Sequence, residues 1–249
     1  MEAKYLVSLF IGILVLTGMV AASMIIPANE NAKENAQAPK NSPMIEEDWD
    51  LERVDFIHYV KPAALGVGKP ETCYKLLGVK WTTLPVNYII NPSNPQGLSE
   101  SFVTSTISTS AETWDAVTSK ELFNDLYSIN YTAQYGVQNF QNAIVFGDYP
   151  DSGVVGVTSV WYTRIGKRIV EFDMLLNTDF LWGDATIDAS KMDLQGIAVH
   201  ELGHSVGLGD IYSTSCSTVT MFGYSTEGET SKRSLEQPDM TGLRKMYGI

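Results

Sequence analysis

Two of the three histidines in this 249-residue chain stand four apart, in the stretch Ala198-Val-His-Glu-Leu-Gly-His-Ser-Val-Gly-Leu-Gly-Asp210. On an α-helix, residues at that spacing point about 40° apart and stack one turn from each other. His200 and His204 can therefore reach one ion, at the Zn–N distance of about 2.0–2.1 Å that imidazole ligands adopt. Glu201 sits beside that face, where it can hydrogen-bond a water at the ion. Met192, Val199, Leu202 and Val206 fall on a different face, the one expected to be buried. The pattern predicts a helix from about Ser190 to Val206. Gly203 is expected to keep the helix surface open near the ion. Gly207 is expected to take a positive φ and end the helix, so that the chain folds back under the ion and Asp210 supplies a third ligand. Glu227 and Glu229 are alternatives for that place, but they lie in the Gly/Ser/Thr-rich stretch Tyr224-Ser-Thr-Glu-Gly-Glu-Thr-Ser. Taken alone, the pentapeptide also fits a helix with two satisfied histidines and a surface glutamate.

The longer pattern resembles the H-E-x-x-H-x-x-G-x-x-H/D signature of the metzincin zinc peptidases, here in its Asp form. Ser217-Thr-Val-Thr-Met221-Phe-Gly-Tyr224 is similar to the methionine turn that the family carries below its metal. The ending Leu235-Glu-Gln-Pro-Asp-Met-Thr-Gly-Leu-Arg-Lys-Met-Tyr-Gly248 is similar to the last helix of the matrixin branch. The resemblance covers roughly residues 73–249 and is strongest from 190 onward. It implies an α+β fold with a twisted mixed sheet, a long helix, an active-site helix, a Met-turn at Met221 and a C-terminal helix. It also implies one catalytic zinc on His200, His204 and Asp210, with Glu201 as the catalytic group of a zinc-dependent endopeptidase acting on extracellular proteins. Glu201 would accept the proton of the attacking water and pass it to the leaving amine. The competing class is a surface-displayed binding module stabilised by its metal, which would have no use for Glu201.

The departures from that family narrow the expectations. No histidine follows His204, so the usual third histidine is replaced by an anion and the site is less positive. The histidines of a second, structural zinc are lacking, and nothing matches the Pro-Arg-Cys-Gly switch of matrixin pro-segments. Tyr224 stands one residue short of its usual distance from the methionine. Structural calcium would draw on Asp148, Asp151, Asp173 or Asp184, which ordinary surface carboxylates explain as well. Gly153–Trp161 reads either as the sheet edge that pairs with an extended substrate or as a core strand. Cys73 and Cys216 read as a disulfide tying the start of the domain to the Met-turn, with Cys73 as a thiolate on zinc the alternative. His58 lies outside the matching region and is expected to be solvated or part of a pro-segment.

Charge excludes some partners. With 17 Lys and Arg against 29 Asp and Glu, the chain carries a formal −12, unsuited to nucleic acid or anionic lipid. Tyr5–Ile26 is uncharged and apolar, so residues 1–26 read as a signal peptide or membrane anchor, which would leave the rest secreted or held at the cell surface. Pro27–Pro43 contains no large aliphatic or aromatic residue and reads as a linker. Residues 44–71 are acidic at first and read as more tether or as a short pro-segment, so 27–72 is treated as one span ahead of a catalytic domain at 73–249. Within that domain the pattern predicts a helix over Ser99–Thr118, strands at Ala143–Phe146, Gly153–Tyr162 and Arg168–Leu176, and a last helix capped by Asp239. A monomer acting on a protein or peptide, with any membrane contact confined to the N-terminal segment, is the expected state.

Overall fold

The computed structural model describes residues 50–63 and 72–249; the apolar N-terminal segment and the linker lie outside the described residues. In chain order the elements are β1 (Leu51–Val60), β2 (Lys75–Leu76), β3 (Ile89–Asn91), α1 (Glu100–Asp115), β4 (Ser128–Ile129), β5 (Ala143–Gly147), β6 (Val154–Thr163), β7 (Ile169–Asn177), β8 (Trp182–Gly183), β9 (Met192–Asp193), α2 (Leu194–Ser205), β10 (Leu208–Gly209), β11 (Tyr224–Ser225) and α3 (Gln237–Tyr247). Strands and helices segregate as the α+β reading expects. Among the described residues, no helix is long and apolar enough to cross a membrane.

Seven strands form one mixed sheet in the order β11-β1-β6-β7-β5-β3-β4. β3, β4, β5 and β7 run parallel, whereas β6 runs antiparallel to β7 on one side and to β1 on the other. The β6–β7 hairpin turns where the sequence places it, with Gly166 at φ 86° and Lys167 at φ 50°. Its residues are β-branched and aromatic and almost all buried, the mark of a strand covered on both faces.

Helix α1 begins where Ser99 accepts the amide of Phe102 and turns Val103, Ile107, Ala111 and Trp114 inward. Trp114 Nε1 donates to Val199 O at 2.8 Å, which fixes α1 against α2. The core joins those residues to Ile90, Ile144, Met174 and Leu176 of the sheet and to Ile197, Leu202 and Val206. Helix α2 starts later than its apolar pattern predicts, because Asp193 caps it by accepting Gly196 N at 2.8 Å and Met192 is spent in a short strand pair. In α3 the cap is Glu236 rather than Asp239. Asp239 sits at the third helical position and accepts Glu236 N, closing a capping box around Pro238.

The chief surprise is β1. It lies in the span read as tether or pro-segment, yet Val54, Phe56, His58 and Val60 alternate with Arg53, Asp55, Ile57 and Tyr59, and Phe56 and His58 are buried. This is the period of a strand with one face inward. Val154–Thr163 is consequently an interior strand of the sheet, not its edge.

Candidate active site

Helix α2 is buried on every side, so the two histidines occupy a dry, low-dielectric place: His200, Glu201 and His204 are each 0% exposed and Asp210 is 7% exposed. His200 Nδ1 stands 2.8 Å from Thr220 O and His204 Nδ1 2.9 Å from Leu208 O. A carbonyl only accepts, so each Nδ1 carries the proton and each neutral imidazole presents its Nε2 lone pair inward. The two Nε2 atoms are 3.1 Å apart, and Asp210 Oδ1 lies 3.2 Å from one and 3.4 Å from the other. Three acceptors thus converge with Asp210 Oδ1 left without a hydrogen bond. Ligands at about 2.0–2.1 Å around a tetrahedral ion are separated by about 3.3–3.4 Å. The triangle found here fits such an ion.

The electrostatics point the same way. Burial pushes His200 down to about 4, which keeps it neutral and able to ligate. Burial opposes charge on Asp210 too, but His204 and His200 outweigh it and hold the carboxyl well below its usual range. At His204 burial is likewise outweighed, and Asp210 raises the pKa: the cluster draws positive charge. Glu201 is pushed up to about 7 by burial. Its Oε2 accepts from Thr158 Oγ1 at 2.5 Å, whereas Oε1 has no partner and faces the cluster's surroundings.

Helix α2 ends as expected, with Gly207 at φ 99°, where a Cβ would stand 2.4 Å from Val79 O. The returning chain is then latched to the Met-turn by Ile211 N to Met221 O and Gly223 N to Ile211 O, both 2.9 Å. Asp239 receives Thr220 N at 2.9 Å and Met221 N at 3.2 Å, and Lys232 Nζ donates to Thr220 O and Phe222 O. Cys73 and Cys216 are joined as a disulfide.

A family model described as matrixin, of peptidase M10, matches residues 80–248. The chain belongs to the matrixin family. It is 27% identical over 186 residues to mouse matrix metalloproteinase-25, covering 74% of this chain and 30% of that protein. To metalloendoproteinase 1 of soybean it is 41% identical over 106 residues, 41% of this chain and 32% of the relative. The matched region therefore spans about a third of each relative's length. The family is one of peptidases.

Within this matrixin, the structure brings Asp210 to the histidine pair and leaves Glu227 exposed and Glu229 bound to Ser231. Gly203 does not open the helix surface. It admits Met221 Sδ and Trp114 Cζ2, which would lie 2.4 and 2.7 Å from a Cβ. Of the aspartates read as calcium ligands, Asp173 accepts Gly136 N and Ala143 N, Asp151 accepts Gly153 N, and Asp184 pairs with Arg233. Tyr224 packs on Tyr212 and Phe222. His58 is not solvated: it is fully buried, its ring 4.1 Å from that of His200. Thr158, Lys232 and Phe56 carried no signal the sequence reading used, and the supporting role of Asp239 was hidden behind its resemblance to a helix cap.

Proposed function

We propose that the chain is a zinc-dependent endopeptidase of exported proteins, with His200, His204 and Asp210 as the ligands and Glu201 as the general base. The observation that carries this is the meeting of His200 Nε2, His204 Nε2 and Asp210 Oδ1 within 3.4 Å beside a carboxylate with one free oxygen. Zinc in that triangle would supply Lewis-acid polarisation of the scissile carbonyl and of a water molecule. Thr158 holds Glu201 Oε2, so Oε1 is the atom that takes the water's proton and returns it to the leaving amine. A carboxyl with a pKa near 7 is suited to moving a proton both ways at neutral pH. The Thr220 and Leu208 carbonyls orient the imidazoles, and outer partners of that kind sharpen metal affinity. Export is supported by the apolar run Tyr5–Ile26 and by the disulfide, which belongs to an oxidising compartment.

The test compares residues 73–249 with the same span carrying Glu201→Ala on an unfolded protein substrate, with zinc measured in both. Cleavage that disappears in the variant while one zinc per chain remains is the expected result. Zinc in both with cleavage by neither would favour the metal-stabilised binding module.

A further inference from the structure

We infer that Lys232 is the counter-charge to Asp210, a buried ammonium that acts on His200 through the Thr220 carbonyl and restores the positive charge that an anionic third ligand removes. This rests on the ligand set proposed above. A lysine is almost never fully buried unless a carboxylate pairs with it. Lys232 is 2% exposed, yet among the described residues no ion pair includes it. Its Nζ donates to Phe222 O at 2.6 Å and to Thr220 O at 3.2 Å, and stands 5.5 Å from the centre of the Phe222 ring. The shorter bond has the length of one that carries charge.

The place is built for this side chain. Its stem crosses the first turn of α2 at Gly196, where a Cβ would stand 3.4 Å from Lys232 Cβ. The next residue, Arg233, donates from Nε to Asp193 Oδ2 at 2.8 Å, and the same oxygen caps α2 by accepting Gly196 N. The short turn Ser231–Arg233 is thereby clamped to α2, which directs Lys232 inward.

Thr220 O is shared between two donors, Lys232 Nζ and, at 2.8 Å, His200 Nδ1. The same peptide unit gives its Met221 N–H to Asp239 Oδ1 at 3.2 Å, so its carbonyl is held in one orientation. A carbonyl engaged by a cation draws less on the imidazole N–H, which keeps His200 a neutral ring rather than one leaning towards an anion. Asp210 lowers the charge of the site by one, and the ammonium returns one at a single carbonyl's remove from His200. Burial pushes Lys232 down to about 8, while Glu229, Asp239, Asp210 and Glu201 oppose that, so the group is mainly cationic at neutral pH. His200 and His58 also feel its charge, and each is pushed down by burial first. Pinning two carbonyls needs only a neutral donor, and burying a full charge for that purpose costs more. The charge therefore has its own use: it lowers metal affinity and raises the polarising power of the site.

The experiment uses the full chain with Lys232→Met, which removes donor and charge, and Lys232→Gln, which keeps a donor without charge. Zinc affinity is measured by competition with a calibrated chelator, the metal-free fold by circular dichroism, and kcat and KM on an unfolded protein. The inference expects both variants to hold zinc about ten-fold tighter, because one positive charge no longer opposes the ion. It expects kcat to fall by about five-fold or more in both, with KM little changed. A lysine that merely pins the turn gives the opposite pattern: zinc loosens in Lys232→Met and is restored in Lys232→Gln. That pattern, zinc affinity unchanged in both variants, or tighter zinc with an undiminished kcat overturns the inference. Loss of the fold in both variants does so too, because the lysine would then be structural. Tighter zinc in both variants of a chain that cleaves nothing in any form upholds the counter-charge, and the Glu201→Ala comparison above then decides the peptidase reading. A parent that binds no zinc overturns the ligand set, and the inference with it.

Discussion

At the scale of single residues, the site depends on who approaches whom. Asp210 is the proposed third ligand, with Glu227 the alternative the sequence leaves open, and the chain reversal at Gly207 is what brings Asp210 to the histidine pair. Asp210→Ala is expected to lower zinc affinity by more than the roughly 10–100-fold that an outer partner is worth, while Glu227→Ala keeps one zinc per chain. Metal content after dialysis against a buffered zinc series would show this; equal loss in both variants would discredit the ligand set. Gly203 gives a sharper contest. Alanine there gains about 1 kcal/mol of helix propensity. Against that, its Cβ would meet Met221 Sδ at 2.4 Å and Trp114 Cζ2 at 2.7 Å. The thioether can swing away, but the indole is held by its bond to Val199 O. Overpacking of this kind costs about 1–3 kcal/mol and should win, so Gly203→Ala lowers Tm by several degrees. A variant as stable as the parent would mean that the Met-turn yields freely.

At the scale of elements, the legible parts of the sequence were those whose pattern is generated by one face. Val103, Ile107, Ala111 and Trp114 mark α1 because a helix needs only its own periodicity. The β6–β7 hairpin is marked by β-branched runs around Gly166. Two-residue strands such as β4 and β11 carry no period and are set by the longer strands that they border. β1 had the right alternation, but the acidic start of its span read as tether or pro-segment, and nothing local says that His58 finds its partner 142 positions on at His200. The carboxylates of β7 are another non-local feature. Asp173 is buried and accepts amides from Gly136 and Ala143, so it pins the loop that precedes β5 to the sheet. Burial pushes its pKa up to about 7, above the 3.8 of the exposed group. A raised carboxyl favours the protonated fold: its contribution is whole below about pH 3.8 and is lost as pH rises to about 7. Asp173→Asn should therefore abolish a downward component of stability over that window, at most about 1.4 kcal/mol per pH unit. Urea midpoints of parent and variant between pH 4 and 8 would reveal it. Parallel profiles would contradict the shift.

At the scale of the whole molecule, the two halves of the site rest on different supports. Helix α2, with His200 and His204, belongs to the main core, whose size secures it. The segment that carries Asp210 and leads to Met221 is backed by a small satellite cluster of Ile211, Cys216, Val219 and Phe222. Four side chains bury too little to hold a long loop, so the Cys73–Cys216 disulfide, which closes a separation of 143 residues, supplies what the cluster lacks. Loop-closure entropy for a ring of that length is worth about 5 kcal/mol, and measured losses of native disulfides run at about 2–5 kcal/mol. The Cys73→Ala, Cys216→Ala chain is accordingly expected to lose a few kcal/mol of stability. Its losses should also be coupled to zinc, because the slackened segment is the one that brings the proposed third ligand. Excess zinc binds only the assembled site and so returns part of the stability, by RT ln(1 + [Zn]/Kd). Melting the double variant across a zinc series would trace that recovery, beside a parent that melts higher at every concentration. If the double variant binds zinc as tightly as the parent and differs only in Tm, the disulfide braces the chain without positioning Asp210, and the two supports are independent.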